Sequence, residues 1–246
     1  VFCRNTLFYH KGRGCEVGTM TKPTREQIIK IAKPILFNTP MTRAILDDRK
    51  TATRRVIKID DAPENWEISI AGTSIVRTEP YDVKLPRYAA GDILWVRETW
   101  YKNYPHEYGR YWYRADGEEI DMPTIYGGTV IYGKADGLKW RPSIHMPREA
   151  ARIFLRVTNV RVERLQDITP ADVVAEGAYP DCEDCINSYG NGSQCDYRGE
   201  EECSQCDSVI ISWERLWNSL YAKRGYGWDT NPWVWVIEFE RVKVDE

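Results

Sequence analysis

Histidine is scarce in this chain, with three in 246 residues, and a long apolar run is missing. His10, His106 and His145 are followed two positions on by Gly12, Tyr108 and Pro147. The H-x-E half of a nucleobase-deaminase zinc site is therefore absent, although Pro180-Asp181-Cys182-Glu183-Asp184-Cys185 superficially matches its P-C-x-x-C half. That pattern excludes a deaminase-type catalytic zinc, and a lone histidine such as His145 reads as structural. No stretch approaches the roughly 18 to 20 apolar residues that cross a bilayer, and Val1-Phe2-Cys3-Arg4-Asn5 lacks a signal-like apolar stretch. The expectation is a soluble, cytoplasmic protein with no membrane partner. A basic excess is lacking too: the formal net charge is -3 and the pI is near 5.8. Wrapping of duplex nucleic acid by charge alone is excluded, while a local basic pocket is compatible with that balance. There is no internal repeat.

Aromatic residues and cysteine are abundant instead. Ten Trp and fifteen Tyr suit either a β-rich core or a surface on which bases stack. Seven Cys in an intracellular chain point to metal or free thiols before disulfides. Cys182-x-x-Cys185 and Cys203-x-x-Cys206 have the separation of the structural-zinc pattern C-x2-C-x15-20-C-x2-C, and the residues between them are too polar to build a core. A structural Zn2+ held by these four thiolates is expected. Cys195 is a fifth thiol, either spare or able to displace one of the four; free thiols and a disulfide-linked loop are the other readings.

The expected organisation is an N-terminal arm over residues 1–30, of which 1–19 read as an upstream extension, and one domain over 31–246. Pro34 to Phe37 reads as a strand, and Thr39-Pro40 as a cap and first helical residue of a helix running to about Asp48. Arg55 to Lys58 reads as a second strand, and residues 59–88 as a loop or hairpin insertion. Ile93 to Trp100 reads as a buried strand partnered by Tyr111 to Arg114. In Arg152 to Leu165 the apolar parity changes between Val157 and Val160, which predicts a bulge near Thr158-Asn159. Thr169-Pro170-Ala171-Asp172 opens a capped helix that Gly177 closes. A second insertion spans 178–208. Val209 to Tyr221 places Trp213, Leu216, Trp217 and Leu220 on one helical face, and a last strand starts at Trp233. The fold class is α+β, a small mixed β-barrel with short flanking helices.

Lys50-Thr51-Ala52-Thr53-Arg54-Arg55 carries the densest chemistry, an amine, two hydroxyls and two guanidinium groups at an expected helix exit. A lysine three residues before a threonine can serve as base to a hydroxyl nucleophile if burial or a cationic neighbour lowers its pKa. The plain alternative is a basic helix end facing water.

Four separated blocks then carry a family resemblance: Ala44 to Arg55, Gly91 to Trp100, Leu165 to Gly177, and Trp233 to Phe239. Together they resemble the ASCH domain, a branch of the PUA-like β-barrel superfamily, in the larger form often encoded by phages. The resemblance implies a cleft that acts on modified nucleosides or RNA. It is similar, distantly, to an N4-acetylcytidine amidohydrolase whose lysine, threonine and glutamate match Lys50, Thr53 and Glu176. On that carry-over Thr53 attacks the acetyl carbonyl, Lys50 takes its proton, and Glu176 holds Lys50 or relays the proton to the leaving amine. Asp48 departs from the family, which commonly has glycine there. The small relatives lack the cysteine insertion, so the resemblance assigns it no role.

Around that group, Arg55, Trp95, Arg97, Glu98, Trp100, Tyr113 and Arg141 are candidate substrate contacts, able to stack a base or meet phosphate and carbonyl oxygens. Core packing is the competing reading for each aromatic. Two further functions are compatible with the same residues: a non-catalytic PUA-like reader of modified or single-stranded nucleic acid, and a phage interaction protein that docks through its zinc loop.

Overall fold

The computed structural model describes residues 24–59, 63–69, 72–78, 81–102, 111–117, 122–126, 129–133, 139–178 and 209–244. The extension at 1–19 and the cysteines 182, 185, 195, 203 and 206 lie outside the described residues. Four helices are described: α1 (Arg25–Ile31), α2 (Thr39–Leu46), α3 (Pro170–Ala175) and α4 (Val209–Tyr221). The strands are β1 (Lys33–Leu36), β2 (Ala52–Val56), β3 (Glu67–Ile68), β4 (Ile75–Arg77), β5 (Asp82–Lys84), β6 (Ile93–Arg97), β7 (Trp100–Lys102), β8 (Tyr111–Tyr113), β9 (Met122–Tyr126), β10 (Thr129–Gly133), β11 (Phe154–Arg164) and β12 (Trp233–Val242).

The main sheet has five strands in the order β1-β6-β11-β12-β2. β1 runs parallel to β6, and the other neighbours are antiparallel. The expected barrel is corrected here: among the described residues no sheet closes on itself, and β1 and β2 are free edges. What spans them is a side chain, Arg55, whose guanidinium Nη2 donates to the Leu36 carbonyl at 2.7 Å. The fold is thus a mixed α+β architecture built on an open sheet.

Strand periodicity explains which face each residue meets. Ile35 of β1, Leu94 and Val96 of β6, Leu155, Val157, Val160 and Val162 of β11, and Trp233, Trp235, Ile237 and Phe239 of β12 share one apolar cluster. The parity change in β11 is absorbed by a register shift between Val157 and Asn159, as the sequence pattern predicts. Trp66 and Ile75 join this cluster from the small antiparallel sheet β3-β4-β5, so of the loop and hairpin readings of residues 59–88 the hairpin one fits the described residues, and it adds to the core. Fully burying one such side chain contributes about 1.5–3 kcal/mol.

The opposite face divides in two. Trp95 and Phe154 meet Ile28 of α1, whereas Val234 and Val236 meet Val173 of α3 and Trp213 and Trp217 of α4. α1 therefore belongs to the packed domain and not to an arm. Thr24 caps it in a reciprocal box with Gln27, Ile28 is buried, and the Arg25 guanidinium donates to the carbonyls of Glu149 and Ala151. Among the described residues no helix is long and apolar enough to cross a membrane.

Candidate functional site

The site begins where α2 ends. Its N-cap is Asn38, one residue earlier than expected, with Oδ1 accepting from the Met41 N–H at 2.9 Å. After Leu46 the chain reverses through Asp48, which has φ +57°, a left-handed conformation that glycine favours and a short Asp side chain tolerates. Asp48 therefore adopts a geometry that glycine would supply. The reversal returns the N–H groups of Arg49 and Lys50 to the Ala44 carbonyl at 2.8 and 2.9 Å, and the Lys50 side chain ends buried. The expectation of a loop after the helix holds only to Thr51, because Ala52 to Val56 pair with β12 as a sheet edge.

α3 is fastened to this turn from the other side. The Thr51 N–H donates to the Ala175 carbonyl at 2.8 Å. Gly177 ends the helix at φ +76°, and a Cβ there would stand 2.8 Å from Ala44 Cβ and 2.9 Å from Lys50 Cβ. Both the backbone conformation and the close approach require glycine. Glu176 is consequently held against Lys50.

The Lys50 ammonium donates to Glu176 Oε2 and to the Glu176 main-chain carbonyl, each at 2.7 Å, with side-chain exposures of 0% and 2%. Arg54 Nη1 donates to Glu176 Oε1 at 3.4 Å, and its Nε to Glu163 Oε1 at 2.9 Å. Arg54 Nη2 also contacts Glu163 and lies 3.4 Å from Asp172 Oδ2. Arg161 then links Glu163, Asp172 and Glu238. Burial pushes the Lys50 pKa down; Glu176 opposes this in part, Arg55 and Arg54 reinforce it, and the result lies below the usual lysine range. Burial pushes Asp172 up, but hydrogen bonds from Thr169 and the charges of Arg54 and Arg161 hold it below the ordinary carboxylate value.

Thr53, Arg54, Arg55 and Glu176 line a cavity of about 700 Å³, to whose wall Trp213 and Trp217 of α4 also contribute. That volume lies within the roughly 300–1,000 Å³ range of small-molecule sites. Lys50 does not line it and stands behind Glu176. Among the described residues the hydrogen bonds of the Lys50 ammonium both go to Glu176, and none to Thr53. Chemically the arrangement presents a hydroxyl and a carboxylate on the wall, with a buried amine of lowered proton affinity in contact with that carboxylate.

The candidate contacts divide. Arg55 lines the cavity, and with Arg97 it also lines a neighbouring cavity of about 290 Å³. Trp95, Trp100 and Tyr113 are instead packed in the cluster under α1, where their apolar faces meet Phe154 and Met146. The Tyr113 hydroxyl donates to the Ala150 carbonyl at 2.5 Å. Burial pushes Glu98 up, yet the carboxyl is gripped by Arg152 at 2.9 Å through both oxygens, so its role is to pin the turn after β6. Arg141 bridges to Trp100 through the backbone and covers its ring. These residues support the wall and do not form it.

Arg54, which the sequence shows only as a neighbouring charge, bridges Glu176, Glu163 and Asp172. The available signal is Asp172 and Glu176, an i, i+4 acidic pair that implies a cation facing α3. Arg114, a residue able to meet phosphate or carbonyl oxygens, lines the cavity, and so do Arg43 and Arg224, which no sequence motif marks, and the α4 tryptophans, which the sequence marks only as an apolar helical face. Among the described residues no group of three or more His, Cys, Asp or Glu side chains is arranged to hold a metal ion. Comparison of the chain with protein-family models, with curated proteins and with solved structures gives no match in any of the three.

Proposed function

We propose that this chain is an ASCH-type, PUA-like hydrolase that removes an acyl group from an acylated cytidine-like nucleoside. The observation that carries the reading is the buried Lys50–Glu176 pair, whose carboxylate residue lines, together with Thr53, a cavity large enough for a nucleoside. The Thr53 hydroxyl oxygen attacks the amide carbonyl carbon, and its proton passes to the Lys50–Glu176 pair. A C–O bond forms to Thr53 and the C–N bond breaks as the pair returns the proton to the departing exocyclic amine. Water then hydrolyses the threonine ester, releasing the carboxylic acid and restoring the hydroxyl. Burial favours this use of Lys50, since lowering a lysine's pKa below its usual range makes its proton easier to give up.

A panel of N-acylated nucleosides incubated with the protein and read by mass spectrometry tests the reading. Wild type is expected to deacylate an N4-acylcytidine; Thr53→Ala and Lys50→Ala are expected to retain ligand binding and lose turnover by about 10²-fold or more. Absence of turnover across the panel sinks it.

One observation favours the second reading, a non-catalytic binder of modified or single-stranded nucleic acid. The Lys50 ammonium is already satisfied by two acceptors on Glu176 and does not line the cavity, as in a purely structural ion pair. Tight binding of cytidine derivatives by a chain that never cleaves them would select it. We propose also that Cys182, Cys185, Cys203 and Cys206 hold one structural Zn2+, supported by their spacing in the sequence.

A further inference from the structure

We infer that the cavity also contains a phosphate subsite, so that its preferred occupant is a nucleoside 5′-monophosphate and not the free nucleoside. The inference depends on the nucleoside reading proposed above and narrows its substrate. It starts from charge. Glu176 is the one carboxylate on the cavity wall among the described residues, and Lys50 and Arg54 already neutralise it.

Against it stand further guanidinium groups whose partners carry no charge. Arg43 donates through Nε to the Ala115 carbonyl at 3.0 Å and through Nη2 to the Arg114 carbonyl at 3.3 Å. Arg55 donates to the Leu36 carbonyl. Arg224, on the turn after α4, is exposed at the rim. Carbonyl oxygens orient a guanidinium without cancelling its charge, so the wall is net positive in a chain that is net negative. The N-terminal residues of α2, Asn38 to Met41, face the same space, and the positive end of that helix adds to the field.

The chemistry of the occupant follows from that field. A phosphate monoester supplies two negative charges and several acceptor oxygens to meet it, whereas a neutral nucleoside supplies no charge.

Calorimetric titration of the full chain with cytidine, cytidine 5′-monophosphate and the dinucleotide CpC tests the inference without reference to turnover. The monophosphate is expected to bind at least about tenfold tighter than cytidine, with the preference shrinking as NaCl rises from about 50 to 500 mM. Arg224→Gln, at an exposed position, is expected to cut the preference about threefold while changing cytidine binding less than twofold. CpC, whose diester carries one negative charge where the monoester carries two, is expected to bind more weakly than the monophosphate. Equal affinity for cytidine and its monophosphate, failure of both to bind, or tightest binding by CpC would each overturn the inference. A phosphate preference in a chain that cleaves no acylated nucleoside leaves the subsite standing and removes the hydrolase. Cleavage without the preference does the reverse.

Discussion

Replacing Glu176 by glutamine keeps its size and removes the charge that faces Lys50, and the structure sets limits on what this costs. Breaking a buried pair by removing one partner typically destabilises by about 3–5 kcal/mol. Lys50 has an escape, because it can shed its proton. An ordinary lysine titrates near pH 10.4 and each pKa unit is worth about 1.36 kcal/mol, so deprotonation at pH 7 caps the cost at about 4.6 kcal/mol. The cap falls by about 2.7 kcal/mol at pH 9, since two pH units less work is needed. The sign follows from linkage. A lysine whose folded pKa is lowered binds fewer protons folded than unfolded, so between its folded value and the usual lysine range stability rises with pH. Glu176→Gln removes the contribution that raised Lys50 and widens that window. Because wild-type Lys50 already carries part of this cost, urea unfolding of wild type and Glu176→Gln at pH 7 and pH 9 should show a loss of more than about 1 and at most about 4.6 kcal/mol at the lower pH, reduced to at most about 2 at the higher. Where the single variant is too weak to fold, Lys50→Met/Glu176→Gln should recover most of the loss, because no uncompensated charge remains and Arg54 keeps Glu163 and Asp172. A loss below about 1 kcal/mol, or one independent of pH, refutes the reasoning.

Three other outcomes follow from particular residues. Gly177→Ala should destabilise by about 2 kcal/mol or more in thermal unfolding and depress any turnover, because the new methyl meets Ala44 and Lys50 at a left-handed φ. Asp48→Gly should raise stability by about 0.5–1 kcal/mol by relieving a left-handed non-glycine residue, its contact with Arg241 at 3.5 Å being exposed and weak. Metal analysis of the purified chain should find one zinc per molecule, lost on chelation and in Cys203→Ser; a metal-free chain with reactive thiols contradicts the four-thiolate assignment.

Local signals carried much of the fold. The bulge in β11 was readable because apolar parity switches across it, and α3 because Thr169 and Asp172 form a capping box ended by Gly177. α4 spans the residues its apolar face predicts, Val209–Tyr221. What escaped depended on partners distant in the chain. Thr53 and Arg54 lie in an edge strand because Val234 to Glu238 pair with it, and nothing within the run Lys50 to Arg55 reports that pairing. Tyr111 to Tyr113 pair with Trp100 to Lys102, so the expected partnership holds at Trp100 and not along Ile93 to Arg97, the strand being broken at Glu98, which meets Arg152. The approach of Glu176 to Lys50 was expected from family resemblance, whereas the role of Arg54 needed the fold to bring Glu163 and Asp172 beside it. Of the two readings open for the aromatic residues near β6, stacking in a cleft and core packing, the structure shows core packing under α1; composition records how many aromatics there are and not which face of a sheet each one meets.

The central claim is that Thr53 becomes acylated. Acid quenching of the protein during incubation with an N4-acylcytidine, followed by peptide mass analysis, tests it most directly. The account predicts an acyl adduct on the peptide containing Thr53 that vanishes in Thr53→Ala and on longer incubation of wild type. Release of free cytidine with no adduct at Thr53 and undiminished turnover in Thr53→Ala would contradict it.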